Sequence, residues 1–222
     1  MPARIRLSPV RAAALLIAVA AVTTISPAHP ATGAAPAPGP PAVPPTALLP
    51  PDAIPGRPAA RDVFDAGTAF SALSTSDRED GCADVVHGRL LSAGAGQGFQ
   101  TAVPGGQLSE LVARTPHPPD LAAWTAQARR CGRVTVDDQD LPTVSTTTVA
   151  AAPVVPGAQT LSYQQVLTLP GQPAEVPGLR LRTVAVAAGD VLVLLRDAGT
   201  TGLDLDTLAV AAWQHAGPRL GR

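Results

Sequence analysis

An α+β domain is what the sequence predicts for residues 61–222: an antiparallel sheet of about five or six strands with helices packed on one face. Three observations predict it. Past Cys131 the chain becomes a series of Val/Thr/Leu-rich segments, each closed off by turn residues. The links between those segments are too short to hold crossover helices, so neighbouring strands must run antiparallel. Segments with helical apolar spacing lie before the series and after it.

The chain begins with a different kind of sequence. Arg4, Arg6 and Arg11 precede an apolar run, Ala12–Ile25. As a helix that run would span about 21 Å, short of the ~30 Å hydrocarbon core of a bilayer. Residues 1–28 are therefore expected to be a signal peptide, cleaved after Ser26–Pro27–Ala28 or slightly later, with a mature N-terminus between about residues 29 and 36. The alternative is an uncleaved anchor. The first cysteine is Cys82, which excludes a lipidated N-terminal Cys. Residues 29–60 follow as a Pro/Ala-rich linker: 12 of the 25 prolines fall between Pro27 and Pro58. Fixed φ and missing donors make such a stretch extended and semi-rigid, either a stalk or a disordered leader.

Within the folded part, Asp80 can cap a helix carrying Cys82, Val85, Val86 and Leu90. Gln97–Val103 reads as a short strand turned by Pro104–Gly105–Gly106. After Pro118–Pro119, Asp120 caps a helix whose apolar stripe is Leu121, Trp124, Ala128 and Cys131. Strands are expected over 133–136, 143–153, 160–169, 179–187 and 191–196, with Gly189–Asp190 as a hairpin turn. Asp204 or Asp206 opens a last helix with Leu205, Leu208, Ala209, Ala212 and Trp213 on one face, ended by Gly217–Pro218. Cys82 and Cys131 both lie on inward helical stripes of an exported chain, so a disulfide between them is expected.

Composition excludes several functions. All 16 basic residues are Arg, and residues 61–222 carry more acids than arginines. Without clustered positive charge the domain suits neither nucleic acid nor an anionic membrane surface, and no stable membrane insertion is expected after signal cleavage. Lacking Lys, it has neither a phosphate-gripping lysine nor a Schiff-base nucleophile. His29, His87, His117 and His215 form no metal-ligand motif. No serine stands in G-x-S-x-G, and Ser109 reads as an ordinary helix-start residue. Gly94–Gly98 lacks the residues that complete a phosphate loop and reads as a flexible turn. Asp137, Asp138 and Asp140 offer clustered oxygens without the Gly and Glu of an EF-hand, which favours a solvated hairpin. Catalytic residues, metals and cofactors are accordingly expected to be none. The candidate ligand contacts are Arg180 and Arg182, which share a strand face, with Arg129 and Arg130 as further members of an anion-binding patch.

The layout resembles the actinobacterial exported sensor-type domains of the PknH-like extracellular domain family. The resemblance rests on the signal and Pro/Ala-rich linker, Gly81–Cys82 opening a helix, and Ala-Arg-Arg-Cys at 128–131 followed directly by a strand. Val-Ala-Ala-Gly-Asp-Val-Leu-Val at 186–193 and the helix after Asp-Leu-Asp at 204–206 complete it. It implies an antiparallel sheet with helices and a cleft for an extracytoplasmic ligand, without kinase activity, since no Gly-rich loop, HRD or DFG string is present. The chain departs from the family in having cysteines for one bridge only. The function expected is a noncatalytic, extracytoplasmic ligand-binding or sensor-like domain whose partner is an envelope ligand or protein. The alternative is a secreted structural or protein-interaction module of the cell envelope.

Overall fold

A computed structural model describes residues 42–58, 60–65, 81–87, 94–138 and 141–221. The proposed signal peptide, residues 1–28, and the Asp80 cap lie outside them. Eight strands form one sheet: β1 (Asp62–Asp65), β2 (Ala95–Val103), β3 (Gly106–Arg114), β4 (Arg133–Asp138), β5 (Leu141–Ala150), β6 (Gln159–Thr168), β7 (Leu179–Ala188) and β8 (Val191–Gly199). Their spatial order is β1-β2-β3-β8-β7-β6-β5-β4, and every neighbouring pair is antiparallel. Two meanders, β1–β3 and β4–β8, are thus joined where β3 pairs with β8. Three helices are described: α1 (Cys82–His87), α2 (Leu121–Arg130) and α3 (Leu205–Arg219).

The sheet exceeds the expected five or six strands because β1 and β3 were not legible. In β3 the inward positions are Leu108, Glu110 and Val112, all buried. A carboxylate in the middle of that row hides the period of two on which strand recognition depends. Ser109 therefore lies inside a strand, its Oγ donating to the Arg196 carbonyl at 3.3 Å, rather than at a helix start. Gly94–Gly98 is likewise no flexible turn, because it leads into β2. A Cβ on Gly98 would meet the Phe64 ring at 2.3 Å and the Glu110 carbonyl at 2.7 Å, so only glycine lets β1 bring its aromatic ring over β2.

Helices cover both faces of the sheet, not one. The chain from β3 must cross the sheet to reach the far edge at β4, and α2 makes that crossing. Asp120 caps it by accepting from the Ala123 N–H at 2.9 Å. Leu121 and Trp124 pack over Leu161, Tyr163, Ala185, Ala187, Leu192 and Leu194. On the opposite face α3 lays Leu205, Leu208, Ala209, Ala212 and Ala216 on Val184, Val186, Val193, Leu195, Leu108 and Val112. It runs on through Pro218 to Arg219, past the expected stop, and the Leu220 N–H closes it by donating to the Ala216 carbonyl at 3.1 Å. Strands β7 and β8 are sandwiched between these layers, which is why Val184–Ala187 and Val191–Leu195 are buried on both sides.

Residues 43–54 belong to the Pro/Ala-rich stretch expected to be linker, yet they complete the α3-side core. Two 3-10 turns, Pro45–Ala47 and Pro51–Ala53, let Val43, Ala47, Leu48, Leu49 and Ile54 reach into it. Polar groups fasten the segment. The buried Glu110 carboxylate accepts the Leu49 N–H at 2.9 Å, Arg61 donates to the Leu49 carbonyl, and His215 Nε2 sits 3.0 Å from the Thr46 carbonyl. Cys82 and Cys131 are joined in a disulfide, which ties α1 to the end of α2.

Candidate functional site

The α3 layer covers only half of its face. Along β4, β5, β6 and β7 that face continues beyond the helix as Arg133, Thr146, Thr148, Gln164, Val166 and Arg180, all exposed. Alternation explains the contrast with the other side of the same strands, where Leu161, Tyr163 and Gln165 are buried under the helices. Register lines the exposed residues up across the strands. Arg133 faces Thr146, Thr146 faces Val166, and Val166 faces Arg180. In the adjoining row Thr148 faces Gln164, Gln164 faces Arg182, and Arg182 faces Asp197.

A groove of about 630 Å³ runs along this surface, between the β6–β7 strands and the Gly199–Leu203 connection that leads from β8 into α3. Its wall is held by hydrogen bonds. Thr201 Oγ1 donates to Asp197 Oδ2 at 2.6 Å and accepts from the Leu203 N–H at 3.3 Å. Asp204 then caps α3 through the Thr207 N–H at 3.1 Å. The Thr207 hydroxyl, 2.7 Å from Asp204 Oδ2, and the Thr207 N–H hold the Asp204 carboxyl below its ordinary range.

Arg180 and Arg182 do share this face, but their situations differ. Arg182 Nη2 donates to Asp206 Oδ2 at 2.6 Å, in the first turn of α3, where the helix dipole favours the carboxylate. Its Nε and the second Asp206 oxygen are buried without hydrogen-bond partners among the described residues. Arg180 is exposed and has no ion-pair partner among the described residues. Arg129 and Arg130 do not join them: they end α2, which packs on the opposite face. Arg133 takes the place the sequence reading had given them. It was legible as the first residue of a strand, but only the cross-strand register puts it in a row with Arg180.

The other candidates resolve into structural parts. Tyr163, Thr183, Gln165 and Arg196 form a polar cluster beneath the helices, in which Arg196 donates to Thr183 Oγ1 at 3.0 Å and Gln165 donates to the Val85 carbonyl at 3.1 Å. The His117 carbonyl accepts from the Thr115 hydroxyl in the loop before α2. His29, Asp140 and the side chains of His87, Asp137 and Asp138 lie outside the described residues, among which no group of metal-ligating side chains gathers.

Glu110 carries the largest electrostatic anomaly described. Burial pushes its carboxyl up to about 7, against the opposing pull of the Leu49 N–H and the Arg61 guanidinium. It faces the α3-side core rather than the groove, and so belongs to the fold.

No family model and no curated protein matches the sequence. Among solved structures, an uncharacterized protein of Mycobacterium smegmatis (the Rv0999 ortholog) is similar at a TM-score of 0.42 and 11% identity, over 72% of this chain and 77% of that one. The extracellular domain of PknH from Mycobacterium tuberculosis is similar at a TM-score of 0.38 and 17% identity, over 73% of this chain and 82% of that one. These are weak resemblances.

Proposed function

We propose that the chain is a noncatalytic domain that works outside the cytoplasm and binds an anionic ligand in the groove beside Arg180. The observation that carries this reading is charge placement. Arg182 is paired with Asp206, and the Asp197 carboxylate is tied to the Thr201 hydroxyl in the groove wall, which leaves the Arg180 guanidinium as the groove's exposed cation without an ion-pair partner among the described residues. A guanidinium on a rigid strand presents a planar fork suited to a carboxylate or phosphate. The remaining polar lining is Gln and Thr, which orient a ligand by hydrogen bonds, and the Thr201 hydroxyl that donates to Asp197 also accepts the Leu203 N–H and so serves to hold the groove wall. Two features support an extracytoplasmic site of action: the Cys82–Cys131 disulfide and the export-type sequence of residues 1–28.

Isothermal titration against carboxylated and phosphorylated sugars tests the reading. An Arg180→Ala variant with unchanged folding should lose at least tenfold in affinity for any ligand that the native chain binds. Affinity unchanged in that variant, or turnover of a bound sugar by the native chain, would overturn the reading.

A second reading has one specific observation in its favour. Val166, Leu169, Val176 and Leu179 are all more than a third exposed and cluster at the β6–β7 hairpin, as a protein contact would require. Polar replacement of Leu169 and Val176 that left sugar binding intact but abolished association with an envelope protein would establish it.

A further inference from the structure

The row through Arg180 has a second cation at its other end. Arg133 on β4 is exposed, and it has no ion-pair partner among the described residues. Three interstrand steps separate the two arginines, about 14 Å between backbones at the usual strand spacing. Between them lie Thr146 and Val166, with Thr148 and Gln164 in the next row. The nearest acid along the edge strand, Asp137, is four residues from Arg133, about 13 Å at strand rise.

We propose that this face holds an acidic oligosaccharide laid across β4–β7, with one carboxylate on Arg180 and another on Arg133. The inference rests on the groove reading and extends it to a ligand class. Each arginine stands alone, which matches the single charge and two-oxygen geometry of a carboxylate. A polyphosphate would call for cations in clusters. The hydroxyls of Thr146 and Thr148 and the amide of Gln164 are placed for sugar hydroxyls, and Val166 offers an apolar floor for a ring's C–H face. The two ends act as linked sites, so a ligand that spans them gains from effective concentration and one that does not gains nothing.

Titrations with galacturonate and tetragalacturonate decide it, using the native chain, Arg180→Ala and Arg133→Ala. The tetramer should bind the native chain at least tenfold more tightly than the monomer. Arg133→Ala should remove that gain, so that the tetramer binds the variant no more tightly than the monomer does. A tetramer that binds no better than the monomer, or that is insensitive to Arg133→Ala, overturns the span while an Arg180-dependent monomer keeps the groove reading intact. If Arg180→Ala changes neither affinity, the groove reading falls and the span with it. A glycerol-phosphate oligomer of matched length that binds as tightly as tetragalacturonate overturns the assignment to a carboxylated sugar.

Discussion

Glu110 makes the stability of this domain depend on pH in an unusual direction. Its side chain is 1% exposed, one oxygen accepts the Leu49 N–H, and the other has no partner among the described residues. Burial holds the proton on up to about pH 7 in the folded chain, whereas an unfolded chain releases it at about 4.3. Across that window the folded state binds the extra proton, so stability falls as pH rises and levels off above it. The loss amounts to about 3 kcal/mol for a carboxyl held that far from its ordinary value. Urea unfolding of the native chain and of Glu110→Gln between pH 4 and pH 8 measures it. The amide keeps an acceptor for Leu49 and cannot ionise, so the native-minus-variant difference should shift against the native chain by about 3 kcal/mol over the window. Parallel profiles would refute the reasoning, as would a native chain that gains stability relative to the variant with rising pH.

Four other outcomes follow from the packing. Cys131→Ala should cost about 4 kcal/mol, the chain-entropy value for a bridge closing 49 residues, seen as a lower urea midpoint. Gly98→Ala should cost about 1–3 kcal/mol because the Glu110 carbonyl cannot retreat, with hydrogen exchange accelerating first in β1. Arg182→Ala should cost about 1 kcal/mol through the lost Asp206 pair, a modest figure because both partners are partly solvated. Arg180→Ala should change stability by less than about 0.5 kcal/mol, which makes it a clean probe of binding by thermal denaturation and titration together.

Local chemistry made much of this fold legible. Strands β4–β8 could be read because each is a β-branched segment closed by a turn, and α2 because Asp120 and its 3–4 spacing are local signals. What stayed hidden depends on partners distant in sequence. Glu110 disguised β3 because a carboxylate is tolerated inward only where the Leu49 N–H comes to meet it. Leu48, Leu49 and Ile54 looked like linker because proline-rich composition suggests an extended spacer, whereas 3-10 turns suffice to bury them. The two-sided helix arrangement follows from β3 pairing with β8, which forces α2 to cross the sheet and which no local pattern encodes. For the site, Arg180 and Arg182 could be placed on one face by alternation alone. The pairing of Arg182 with Asp206, and the alignment of Arg133 with Arg180, needed the register of four strands.

Amide chemical-shift mapping of the labelled chain during titration with galacturonate tests the central claim most directly. The claim predicts saturable shifts concentrated at Gln164, Val166, Arg180 and Thr201, on the open half of the α3 face and along its groove, and their loss in Arg180→Ala. Saturable shifts centred instead on α2 around Trp124 and Gln127, or no shifts at ligand concentrations that saturate binding by titration, would contradict it.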